Sequence, residues 1–224
     1  MRGSRKDYAA ERLLPFAAQG VAVASASYRL VDVASHPAQL EDARAAVRWL
    51  RENGRDHGLR TSHIGSWGAS AGAWIALMLL LTGDDMSARA DATAAWFPIT
   101  NLATVAAERD AAGLPMPSFI PPGRPLPSME AGLLGLSSLS DDLELAADAS
   151  PLSHAADANG PALLIHGDTD GLVSATQSLS LHNALLGAGR DSQLMLLAGA
   201  NHEDPGFDKP AVLAATAGFF SAQL

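Results

Sequence analysis

The chain has 224 residues, 48% of them hydrophobic and 17% charged, enough to bury a core as one domain without crosslinks. With no cysteine it can form no disulfide, thiolate zinc site, iron–sulfur cluster or cysteine nucleophile. Its 15 Lys+Arg against 24 Asp+Glu give a formal net charge of −9, which repels phosphate backbones and speaks against nucleic-acid binding. No apolar run reaches the length of a membrane span, and the first ten residues lack the apolar stretch of a signal peptide, so a soluble, cytoplasmic protein is expected.

In chain order, residues 21–28 (VAVASASY) read as the first strand. Residues 38–57 have helical spacing, with Leu40, Ala43, Val47 and Leu50 on one face and Glu41, Asp42, Arg44, Arg48 and Arg51 on the other. A strand over 64–67 is followed by 71–81, which is apolar nearly all round and so reads as a buried helix. A third strand is expected over 92–97. Strands over 162–166 and 193–197, with helices over 174–186 and 209–223, complete the alternation. Such alternation predicts an α/β fold, a mainly parallel sheet of about five or six strands flanked by helices.

One region interrupts this rhythm. Residues 101–151 hold seven prolines (Pro115, Pro117, Pro121, Pro122, Pro125, Pro127 and Pro151) and no strand signal. It is expected to be a cap-like excursion with one or two short helices, because long loops in compact domains usually carry binding.

Gly68-Ala69-Ser70-Ala71-Gly72 matches the G-x-S-x-G elbow, in which a serine stands at the tip of a sharp strand-to-helix turn. The flanking segments are the strand and helix that this motif requires. A serine hydroxyl needs a base to take its proton. Among seven histidines, His202 follows the last strand, at the edge where open α/β sheets bind ligands. His57 and His182 fall on polar helix faces, His36 and His154 lie in loops, and His166 ends a strand and is expected to shape the next turn. The base in turn needs a carboxylate, and Asp168 and Asp170 both follow the strand that ends at His166. The chain order Ser, Asp, His is the order used by folds with this elbow.

These motifs resemble the α/β-hydrolase superfamily, and within it carboxylesterases of the hormone-sensitive-lipase group and the acetyl- and feruloyl-esterase-like bacterial enzymes. Tyr28-Arg29-Leu30 is similar to the family's strand end, although Ser27 stands where Asp is usual. The helix before the nucleophile, the elbow, Ser150-Pro151-Leu152, His166-Gly167-Asp168-Thr169-Asp170 and Ala200-Asn201-His202 follow in family order. The resemblance implies Ser70 as nucleophile, Asp170 as acid and His202 as base. It further implies the Ala71 amide as an oxyanion donor and hydrolysis of small acyl esters through an acyl-enzyme, with no cofactor and no metal. Trp67 and the Pro-rich segment are expected to line the substrate pocket. The family's His-Gly-Gly-Gly run has no counterpart beyond Gly3-Ser4, so an N-terminally truncated fold with an exposed edge, forming homo-oligomers, is expected. The competing expectation is an impaired hydrolase or binding protein without a complete oxyanion hole.

Overall fold

The computed structural model describes residues 12–121 and 128–224. Four strands, β1 (Gly65–Ala69), β2 (Ala92–Trp96), β3 (Ala162–Gly167) and β4 (Ser192–Leu197), form a parallel sheet in the order β1-β2-β3-β4. The registers place Gly65 beside Ala92, Thr93 beside Ala162 and Ala162 beside Ser192. Eight α-helices accompany them among the described residues: α1 (Leu14–Ala17), α2 (Ala38–Asn53), α3 (Ala71–Leu81), α4 (Val105–Ala112), α5 (Met129–Leu134), α6 (Leu143–Asp148), α7 (Thr176–Gly187) and α8 (Pro210–Gln223). None is long and apolar enough to cross a membrane.

The central strands β2 and β3 are buried at every residue, whereas β4 is half-buried or exposed throughout. Both faces of a parallel sheet must be covered, and the side chains divide accordingly. Ala92, Ala94, Trp96, Leu163 and Ile165 pack with Phe16, Phe207, Leu213, Phe219 and Phe220 on the α1/α8 face. Ala95 and Leu164 pack with Ala73, Leu77, Leu80, Leu181 and Leu185 on the α3/α7 face. Burying one such leucine contributes about 1.5–3 kcal/mol. Helix α3 is buried continuously from Ala73 to Leu81, so it has no polar face to present. Two strand hydroxyls lie beneath it: Ser66 Oγ and Thr93 Oγ1 are 2.6 Å apart and both reach the Ala76 carbonyl, at 3.0 and 3.2 Å.

The helix predicted over 38–57 ends at Asn53 and closes with a 3-10 turn, Gly54–His57. The strand expected over 21–28 lies outside the sheet: no strand among the described residues pairs with it, and most of it is exposed. Residues 22–27, which are Ala and Ser apart from Val23, are exposed and bury little apolar surface. Its ends, Val21 and Tyr28, pack against core clusters. The sheet therefore has four strands among the described residues, rather than five or six.

The 101–151 excursion is more ordered than its prolines suggest, with α4, α5 and α6 among its described residues. Leu102, Leu133, Leu134, Ala146 and Ala149 join Trp74 and Met78 in one cluster, and the Trp74 indole N–H donates to the Ala149 carbonyl at 2.8 Å. In the same region Glu130 is buried, and burial raises its carboxyl above the ordinary value. A raised folded-state pKa means that the folded protein holds the proton more tightly. Stability is then lost as pH rises from the unfolded-state value through the folded one. Glu130→Gln should therefore unfold at a higher temperature than the parent at pH 7–8, with the gap closing towards pH 4. Thermal melts at the two pH values check this.

Candidate active site

The elbow is built by close approach of backbone to backbone. Ser70 has φ 52° and ψ −117°, a left-handed conformation uncommon for a residue with a side chain. Its N–H donates to the Trp96 carbonyl at 2.9 Å and its carbonyl accepts from Trp74 N–H at 3.1 Å, tying the turn to β2 and to the first turn of α3. Gly68 makes the turn possible: a Cβ there would lie 2.2 Å from the Gly72 carbonyl carbon and oxygen. Gly72 differs, since a Cβ on it would meet nothing within 4 Å. The two glycines of the motif thus have unequal packing reasons.

The acid and base loops leave the carboxyl ends of β3 and β4 side by side. The Thr169 N–H and hydroxyl both donate to the Ala200 carbonyl, at 3.1 and 2.9 Å. Gly167 lies so near that a Cβ would come within 2.2 Å of the same oxygen. This alignment brings the three expected residues together. His202 Nε2 is 3.0 Å from Ser70 Oγ, and His202 Nδ1 is 2.7 Å from Asp170 Oδ2. With Asp170 ionised, the neutral imidazole carries its proton on Nδ1, donates to Asp170 and accepts from the serine hydroxyl at Nε2. Phe97, at φ 40°, sets its ring edge-on to the imidazole at 4.6 Å between centroids.

Asp170 is 1% exposed. Burial pushes its carboxyl upward, but contacts from His166 and His202 and the Val173 amide more than offset this, and the carboxyl is held well below the ordinary carboxylate range. Oδ1 accepts from the amides of Leu172 and Val173 at 2.9 and 2.8 Å. Asp168 sits differently: it is exposed and its Oδ1 accepts from Gly199 N–H at 2.7 Å, bracing the base loop. Of the two carboxylates, Asp170 is the one in contact with His202.

His166 is fully buried, with Nδ1 2.7 Å from Ser178 Oγ, Nε2 2.9 Å from the Val173 carbonyl and Nε2 3.4 Å from Asp170 Oδ2. It supports the acid loop as well as shaping the turn. His154 contacts the Asp148 carbonyl and His182 the Ser192 hydroxyl, away from Ser70. The amide of Ala71 opens α3 at a position where a helix N–H has no intrahelical partner. The Gly3-Ser4 pair lies outside the described residues.

Trp67 corrects an expectation. Its ring stacks on Phe16 at 4.7 Å and meets Trp96 edge-on at 4.9 Å, within the α1/α8-face core rather than against Ser70. Two residues with no assigned role in the sequence reading, Phe97 and Asn201, touch the imidazole and its main chain. Among the described residues no three His, Cys, Asp or Glu side chains converge as metal ligands. A cavity of about 660 Å³ opens at the far end of α3, lined by His36, Arg44, Thr82, Arg89, Asp148 and Arg190 among others. It is separated from Ser70 by the helix, a length of about 16 Å.

The parallel sheet, the strand–elbow–helix unit and the order of the three loops define an α/β-hydrolase. The chain belongs to the BD-FAE family, whose model it matches over residues 2–185. It is 42% identical over 64 residues to Esterase LipI of Mycobacterium tuberculosis (strain ATCC 25618 / H37Rv), a match covering 29% of this chain but only 20% of that esterase. A truncated form of a carbohydrate esterase from gut microbiota superposes with a TM-score of 0.74 at 23% identity, over 89% of this chain and 73% of that one. The thermophilic esterase Est2 of the Planctomycetes species Thermogutta terrifontis gives 0.71 at 21% identity, over 99% and 75%. At these identities the two structures attest the fold.

The unequal glycines yield a direct test. Gly68→Ala should lower stability by about 1–3 kcal/mol through overpacking against Gly72. Gly72→Ala should stay within about 0.5 kcal/mol of the parent. Urea denaturation of both variants distinguishes them.

Proposed function

We propose that this protein is a serine carboxylesterase acting on small acyl esters through an acyl-enzyme. The observation that carries the reading is the continuous hydrogen-bonded line from Ser70 Oγ through His202 to Asp170, at 3.0 and 2.7 Å. Ser70 Oγ attacks the ester carbonyl while His202 Nε2 takes its proton. The Ala71 N–H donates to the oxyanion that forms. Collapse of the tetrahedral intermediate expels the alcohol, which receives the proton from His202. Water then attacks the acyl-serine with His202 again as base, and the carboxylic acid leaves. Asp170 holds the productive tautomer and stabilises the imidazolium, and its lowered pKa keeps it ionised for this work.

The competing reading, a binding protein with an inert site, has less support. A strained serine aligned with a base and a buried acid is a costly arrangement for a protein that does no chemistry. A fluorophosphonate probe separates the two, because it captures only an activated serine. Labelling is expected at Ser70 and lost in Ser70→Ala, together with p-nitrophenyl acetate hydrolysis. An unlabelled parent protein would sink the esterase reading.

The two aspartates should respond unequally. Asp170→Asn is expected to lower turnover by roughly 10³–10⁴, since it favours the wrong imidazole tautomer. Asp168→Asn should stay within about a factor of three, because an exposed loop brace is all that changes. Initial-rate measurements of kcat/KM for the parent and both variants test both statements.

A further inference from the structure

The excursion between β2 and β3 is tied to the loops of the site by contacts that ester chemistry alone does not require. Asn201 is the centre of them. Its side-chain Oδ1 accepts from Gly171 N–H at 3.0 Å and from His202 N–H at 2.7 Å, while Nδ2 donates to the Pro115 carbonyl at 2.7 Å. One planar amide therefore touches the acid loop, the base loop and the excursion. Only a carboxamide offers an acceptor and a donor from the same short fork. Gly171 completes the junction: a Cβ there would stand 2.1 Å from the Pro115 oxygen.

The neighbouring contacts point the same way. Leu172 and Val173, just after the acid, pack with Val105, Met116 and Ile120 of the excursion. The hydroxyls of Thr104 and Thr176 both donate to Glu108, joining α4 to the start of α7. The segment around Pro115 is thus held against the loops that carry Asp170 and His202.

We propose that Asn201 is a positioning residue that fixes His202 through its main-chain amide and docks the 113–120 segment onto the acid loop, so that base and segment are held as one body. The proposal rests on the serine-esterase reading above. Asn201→Ala removes all three bonds. Asn201→Asp keeps both Oδ1 bonds but sets an oxygen against the Pro115 carbonyl. Gly171→Ala leaves Asn201 in place and pushes that segment away.

The test measures kcat and KM of these variants and of Ser70→Ala on p-nitrophenyl acetate and p-nitrophenyl butyrate. Asn201→Ala is expected to lower kcat on both esters by roughly ten- to hundredfold, the scale of a base misplaced by a fraction of an ångström to one ångström. Gly171→Ala should act mainly on KM and change the butyrate-to-acetate ratio. Asn201→Asp should recover most of the kcat lost in Asn201→Ala while keeping the altered KM. Circular dichroism melts show whether each variant folds; if Asn201→Ala does not, the split between Asn201→Asp and Gly171→Ala carries the test. An inactive Ser70→Ala beside an Asn201→Ala that matches the parent within twofold in kcat, KM and ester ratio overturns the role of Asn201. Loss of kcat without any change in KM or ester ratio in Gly171→Ala and Asn201→Asp overturns the docking half. A fully active Ser70→Ala instead overturns the underlying serine reading.

Discussion

The left-handed backbone of Ser70 is the constraint on which the rest of the site depends. A side-chain-bearing residue at φ 52° costs on the order of 1–3 kcal/mol and persists only where its surroundings over-determine it. Here the surroundings are β2, which accepts the Ser70 amide, and α3, whose first turn closes on the Ser70 carbonyl. A helix that is buried from Ala73 to Leu81 cannot shift to relieve the strain without opening the core. The apolar run that makes α3 a core helix is therefore also what holds the serine hydroxyl at the carboxyl edge of the sheet. Two further left-handed residues lie close by: Phe97, whose ring meets the His202 imidazole edge-on, and Glu203, which follows His202 in the chain.

Environment, more than residue type, separates the two carboxylates of the acid loop. Asp168 and Asp170 are two positions apart, yet one braces an exposed turn and the other is enclosed by two amides and two imidazoles. In a buried site the desolvation cost of a charge is offset only by such partners. The crossover after β3 supplies them locally: Leu172 and Val173 lie two and three residues beyond Asp170, and His166 meets it from the strand end.

What the sequence made legible is what local physics decides. The buried helix at Ala71–Leu81 was visible as an unbroken apolar run, and the elbow as small residues around a serine between a strand and that helix. Asp170 and His202 could be placed at one edge because both follow apolar strands, and parallel strands bring such loops together. Residues 21–28 differ because alternation says that a segment can form a strand, but not that it joins the sheet, and among the described residues the sheet begins at Gly65. Trp67 misled through nearness in sequence to Ser70. Strand periodicity already carried the answer, since Trp67 shares with Ala69 the face that packs on α1 and α8, whereas Ser66 lies under α3. Asn201 was visible only as the neighbour of His202 in its loop; its three bonds join positions 115, 171 and 202, and only the folded chain shows them meeting.

The connections between strands are unequal in length. The crossovers that carry Ser70 and Asp170 each consist of little more than one helix, α3 or α7, so their geometry follows rigidly from the strands. The crossover from β2 to β3 is far longer, and the entropic cost of closing a loop grows only slowly with its length. Length alone would leave such a segment loose. It is instead seated by buried polar fittings: Gln177 Oε1 accepts from the amides of Thr100 and Asn101 at 2.8 and 2.7 Å, and the Ser150 hydroxyl accepts from Leu102 N–H at 2.9 Å. A buried acceptor left without these amides would cost about 1–3 kcal/mol, so the two ends of the excursion are specified as firmly as the sheet itself. Between those ends the segment returns to the loops that carry Asp170 and His202, where the Pro115 carbonyl accepts from Asn201 Nδ2 at 2.7 Å and Met116 and Ile120 pack on Leu172 and Val173. The long excursion is thereby seated on the same loops that hold the imidazole and its carboxylate partner, so a change in its packing is transmitted to them.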